Sequence, residues 1–126
     1  MYTENQLSYM IRGAAFIVYN SLGPGLLESV YETALAYELR NQNLEVRSQL
    51  GIPMRYKHID FDVGYRLDII VENKVIVEIK SVDTLLDIHH KQLLTYLKLM
   101  DKRLGLLINF NAFSLEKSIV RIVNNL

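Results

Sequence analysis

Apolar and polar positions recur along this chain with two different periods. Thr3 followed by Gln6 is a capping-box pattern for a helix start. Ile11, Ala14, Ala15, Val18 and Leu22 then return at helical spacing. Gly23-Pro24-Gly25 stops that helix, because neither residue type continues one well. A second helix follows at once, with Leu27, Val30, Tyr31, Ala34, Leu35 and Leu39 as its apolar stripe, and ends near Asn41-Gln42-Asn43. Residues 44–56 partly alternate, and Gly51 and Pro53 predict a bulge or an edge strand. Lys57-His58 reads as a turn. Residues 66–71 and 75–80 are rich in β-branched side chains and read as strands. Only Glu72-Asn73-Lys74 separates them, which predicts a tight antiparallel hairpin. Both its faces carry apolar residues, so the sheet is expected to be covered on both sides. Helical spacing returns over 83–100 with Leu85, Ile88, Leu93, Leu97 and Met100. Residues 104–110 read as a buried strand and 117–123 as a weaker last one. The order α-α-β-β-β-α-β-β predicts an α/β (α+β) fold with a central mixed sheet.

Composition narrows the picture. The chain has 126 residues and shows no repeat or linker, so one domain over 1–126 is expected. Half the residues are apolar and 22% are charged, which is globular composition and excludes a disordered chain. Fourteen basic residues balance fourteen acidic ones, so a general polyanion binder is excluded. Binding to nucleic acid would need a local patch or a metal bridge. The chain has no Cys, which excludes disulfides, thiolate zinc sites and Cys nucleophiles and suits a cytoplasmic protein. No apolar run approaches the roughly 18 residues of a membrane span. Glu4 and Arg12 interrupt the first apolar stretch, so no signal peptide is expected.

Charge inside the hairpin is what points to chemistry. A three-residue loop pairs Val71 with Val75, and counting back sets Asp68 opposite Glu78. Side chains paired in this way share a face, with Cβ atoms about 4.5–5.5 Å apart. Like charges at that spacing repel, and burial makes the repulsion worse. A divalent cation between them removes the penalty, and oxygen-only ligands suit a hard ion such as Mg²⁺. Lys80 lies two residues past Glu78 on the same face, where it can orient or deprotonate a water or hold an anionic substrate. A two-residue loop would instead send the two acids to opposite faces. The plainer alternative is a solvated hairpin with an Asp and a Glu–Lys ion pair.

Asp68…Glu78-Ile79-Lys80 resembles the motif of the PD-(D/E)xK nuclease superfamily. Gly25-Leu26-Leu27-Glu28-Ser29-Val30-Tyr31 is similar to the Gly-x-x-Glu-x-x-Tyr signature of its small bacterial and archaeal GxxExxY family. Residues 62–68, 92–97 and 105–110 resemble that family too. The Pro of the superfamily name is absent, since Leu67 precedes Asp68. The resemblance implies a restriction-endonuclease-like core and metal held by Glu28, Asp68 and Glu78. It also implies a ligand from the Ile79 carbonyl and a catalytic Lys80. Gln92 and Tyr96 would match the Gln-x-x-x-Tyr element of the exonuclease branch. The expected activity is Mg²⁺- or Mn²⁺-dependent cleavage of a nucleic acid, DNA first, with a homodimer through the first helix or the last strand. The alternative is a catalytically silent module of the same fold.

The remaining candidates each have a second reading. Glu28 stands in the first turn of the second helix, where the helix dipole alone favours a carboxylate by roughly 0.3–1 kcal/mol. Tyr31 reads as a supporting residue. Gln92 and Tyr96 are four apart and share a helix face with His89, as catalytic and substrate-binding groups or as a polar seam. His89 is a phosphate contact or a helix-start surface residue. His90, about 100° away, cannot join it in a zinc site. Arg66 shares the face of Asp68 if the strand is regular, where it pairs with the acids or reaches a phosphate.

Overall fold

The structure, a computed structural model, describes residues 1–126. Three helices, α1 (Glu4–Leu22), α2 (Glu28–Asn41) and α3 (Asp87–Met100), flank one five-stranded sheet. Its strands are β1 (Val46–Tyr56), β2 (Ile59–Val71), β3 (Val75–Lys80), β4 (Leu104–Asn109) and β5 (Ile119–Val123). They lie in sequence order; only β3 and β4 run parallel, joined through α3. This is the mixed α+β architecture that the patterning predicts, with the elements in the expected order.

The start of α1 follows from the sequence. Thr3 and Gln6 exchange side-chain and backbone hydrogen bonds, forming the expected capping box on α1. Glu72 and Asn73 both adopt φ 52, and the Lys74 N–H donates to the Val71 carbonyl, closing the predicted turn. Two cores result. The larger joins α1 and α2 to one sheet face through Ile11, Val18, Leu35, Ile69, Val77 and Ile108. The smaller joins α3 to the other through Leu67, Ile70, Ile76, Leu93, Leu97 and Leu107. Strand centres apolar on both faces are therefore buried twice.

Three boundaries differ from the sequence reading. β2 begins at Ile59, seven residues before the predicted start at 66. Its outer half is exposed and pairs only with β1, so no core periodicity marks it. The register shifts between Ile52 and Met54, at the irregularity that Gly51 and Pro53 predicted. α3 begins at Asp87 instead of 83. The preceding loop is held by buried Asn109, whose Oδ1 accepts from the Val82 N–H at 3.1 Å and whose Nδ2 donates to the Val82 carbonyl at 2.9 Å. Residues 116–118 form a 3₁₀ turn, so the last strand starts at Ile119.

Candidate functional site

β2 and β3 pair through three rungs, ending at Ile69↔Val77, and then part. The counted rung of Asp68 against Glu78 is not made by the backbone. Side chains make it instead. The Asp68 N–H donates to Glu78 Oε2 at 2.9 Å, and the Ile79 N–H donates to Asp68 Oδ2 at 2.8 Å. Each carboxylate thus caps a backbone N–H on the opposite strand, an N–H that the parting strands would otherwise leave unsatisfied. The two acids stand side by side in the gap, as the three-residue loop count required.

Their electrostatic cost is high. Glu78 is only 5% exposed. Burial, and then the charge of Asp68, push its carboxyl up to about 8, against the pull of the Asp68 N–H and the Lys80 ammonium. Asp68 is raised as well, by burial first, opposed by the Ile79 N–H and Lys80 and reinforced by Glu28. Lys80 is half-buried and forms no ion pair; the only one in the chain joins Arg55 to Asp60 at 3.5 Å.

α2 supplies two further acids. Tyr31, fully buried and stacked on Phe110 with ring centroids 4.5 Å apart, donates its hydroxyl to the Gly23 carbonyl and accepts from the Leu26 N–H. It thereby ties the Gly-Pro-Gly loop to the helix, as a supporting residue would. Glu28, one turn earlier, is exposed, and its Oε2 accepts from the Ser81 N–H just past β3, at 3.2 Å. This places it beside the hairpin end, yet no three carboxylates or histidines converge closely enough to form a ready metal shell. Of the expected Glu28–Asp68–Glu78 set, Glu28 is engaged by the Ser81 N–H, while Asp68 and Glu78 accept across the gap between β2 and β3. The reading of the sequence missed Glu32, half-buried, which accepts from Gln49 Nε2 at 2.7 Å. Its carboxyl is raised, by burial first and then by Asp68 and Glu28. The available signal was its position four residues after Glu28, on the same helix face.

The other candidates divide. Tyr96 packs from α3 with its ring stacked on Tyr65, centroids 4.9 Å apart. Its phenol is raised by burial and then by the charges of Glu78 and Asp68, which puts it beside the acids. Gln92, one turn earlier, is exposed and free of hydrogen bonds to the chain. His89 Nδ1 accepts from the Leu86 N–H at 3.0 Å, so this ring caps the start of α3. Arg66 is exposed and donates to the Gln49 carbonyl at 3.3 Å, not to the acids. The expected shared face with Asp68 assumed a regular strand, and β2 is irregular at that point. Ile79 contributes its N–H to Asp68 and its side chain to the larger core.

The donor set fits a hard divalent cation. Asp68 Oδ1 and Glu78 Oε1 accept no hydrogen bond from the chain, and the other oxygen of each carboxylate is already held. Mg²⁺ commonly takes one or two protein carboxylates and keeps several waters. A profile of the PD-(D/E)XK nuclease superfamily matches residues 5–122, and the chain belongs to that superfamily. Its members are nuclease-type proteins that generally use divalent metal ions and act on nucleic acids. No curated protein and no solved structure matches the chain. No helix is long and apolar enough to cross a membrane.

Proposed function

We propose that this single-domain protein is a metal-dependent phosphodiesterase that cleaves DNA, and that it belongs to the GxxExxY branch of the superfamily. One observation carries the reading: the reciprocal hydrogen bonds of Asp68 and Glu78 across parted strands, with Lys80 two residues on. Asp68 and Glu78 are the inner ligands for Mg²⁺ or Mn²⁺, the Ile79 carbonyl adds a ligand, and Glu28 is the outer carboxylate from α2. A bound ion would polarise the scissile phosphate and lower the pKa of its water. Lys80 orients the attacking water and takes or shares its proton. Tyr96 and Gln92 line the approach from α3 and orient Lys80 or a phosphate oxygen. His89 keeps Nε2 for a phosphate, and Arg66 is a more distant phosphate contact. A Cys-free chain suits the reducing cytoplasm. A second copy would pack on the exposed apolar groove between α1 and α2, lined by Ile17, Leu22, Val30 and Tyr37; light scattering tests for the dimer.

The zero formal charge favours a second reading, a nuclease-fold module that binds nucleic acid or a protein without turnover. Incubation with single-stranded, duplex and branched DNA and with RNA, in Mg²⁺ or Mn²⁺, separates the two. Cleavage by the wild type and its loss in Lys80→Ala is the expected result. No cleavage of any substrate with either ion gives the protein to the second reading.

A further inference from the structure

Between β1 and β2 the register holds from Val46↔Val71 to Ile52↔Tyr65 with one rung missing, that of Gln49 against Asp68. The facing of the strand reverses there. Ile69 and Val71 pack in the larger core, whereas Leu67 packs in the smaller one under α3. Residues two apart on a regular strand share a face, so the hairpin makes an extra half-turn at this rung. Gln49 takes φ 50, a left-handed conformation that a side-chain-bearing residue rarely adopts. Such a conformation persists only where its surroundings hold it. Two contacts do so here. Arg66 Nη1 donates to the Gln49 carbonyl, and Gln49 Nε2 donates to Glu32 Oε1 at 2.7 Å. The consequence falls on Asp68. It belongs to no backbone rung with either neighbour strand, so its N–H and its carboxylate are available for the two bonds that join it to Glu78 and Ile79.

We propose that the Glu32–Gln49 hydrogen bond is a positioning latch. It holds β1 in the left-handed turn that removes the Gln49/Asp68 rung, and so keeps the Asp68 carboxylate in the gap beside Glu78. Glu32 and Gln49 are positioning residues, acting through Asp68. The latch needs an acceptor oxygen at position 32 and does not need its charge. Its geometric half stands on the fold alone; its catalytic half rests on the nuclease reading above.

Amide hydrogen exchange in chelator tests the geometric half without any activity. The Asp68 and Ile79 amides are the donors of the cross-gap bonds, and the Val77 amide, in the paired part of β3, is the internal reference. Gln49→Ala and Glu32→Ala are expected to speed exchange at Asp68 and Ile79 by roughly tenfold or more, with Val77 unchanged. Glu32→Gln, which keeps the acceptor, is expected to behave as wild type. If Gln49→Ala does not fold, Gln49→Met keeps the side-chain length and lacks the donor to Glu32, so the same acceleration is expected. On a cleaved substrate, kcat falls in the alanine variants with KM little changed, and Glu32→Gln restores it. Unchanged exchange at Asp68 and Ile79 in the folded alanine variants overturns the latch, as does a Glu32→Gln protein that behaves like Glu32→Ala. A chain that cleaves nothing while the exchange result holds overturns the nuclease reading and leaves the latch standing.

Discussion

Glu78 is an acid placed where its charge is costly. Its carboxyl titrates near 8 in the folded chain and near the ordinary 4.5 when unfolded. Between those values the folded state holds a proton that the unfolded state has released, so stability falls as pH rises from about 4.5 to about 8 and levels off above. The full effect of such a shift is on the order of 5 kcal/mol. In chelator, the wild-type melting temperature is therefore expected to decline across that window. Glu78→Gln keeps an oxygen acceptor for the Asp68 N–H and removes the charge, so its melting curve should be flatter across the same pH range and higher at pH 8. Thermal melts of both proteins at a series of pH values measure this. A steeper decline in Glu78→Gln would show that Glu78 is not the group responsible.

At the scale of elements, α2 and α3 bring their polar side chains to the sheet through packing contacts that single substitutions can probe. The Tyr31 hydroxyl serves both the Gly23 carbonyl and the Leu26 N–H. Tyr31→Phe keeps the stack on Phe110 and loses both bonds, at a cost of about 1–2 kcal/mol in denaturant unfolding. It should also loosen the loop that leads into Glu28, read as faster amide exchange at Leu26. On the other face, Gly105 of β4 lies under α3. A Cβ there would meet Leu93 atoms at 2.9 Å, and Leu93 is fully buried. Gly105→Ala is expected to destabilise by roughly 1–3 kcal/mol through overpacking. Because α3 carries Tyr96 and Gln92, any cleavage should weaken along with it. The existence and type of each of the three helices and five strands were legible from periodicity, whereas the short 3₁₀ turn at Glu116–Ser118 was not. The outer half of β2 was not, because an exposed ribbon held by backbone pairing leaves no apolar rhythm to read.

For the whole molecule, the proposed metal site ties cation binding to stability. A ligand that binds only the folded state stabilises it by RT ln(1 + [L]/Kd), about 2.7 kcal/mol at a hundredfold excess over Kd. Mg²⁺ or Mn²⁺ is expected to raise the wild-type melting temperature and to have much less effect on Asp68→Asn. In chelator at neutral pH, Asp68→Asn should be no less stable than wild type, since it keeps an acceptor for the Ile79 N–H and sheds an unfavourable charge. Lys80→Ala should retain most of the metal response. Equal metal responses in wild type and Asp68→Asn would remove the inner pair from the metal reading.

The sequence by itself determined the element order, the hairpin and the proximity of Asp68 to Glu78, because period and loop length are local quantities and a three-residue turn leaves one register. It also pointed to Lys80, by strand alternation from Glu78, and to Tyr31 as a support. Only the tertiary structure decided how the acids are held. The parting of β2 from β3 after Val77 and the missing rung at Gln49 accompany a twist that passes β2 from the larger core to the smaller one. No local pattern encodes that twist. The same holds for Glu32, whose partner Gln49 is 17 residues away, and for Glu28, drawn to Ser81 across 53 residues. Arg66 turned away from the acids and His89 turned to its own helix for one reason: a backbone group within reach gave each a hydrogen bond that sequence spacing alone does not display.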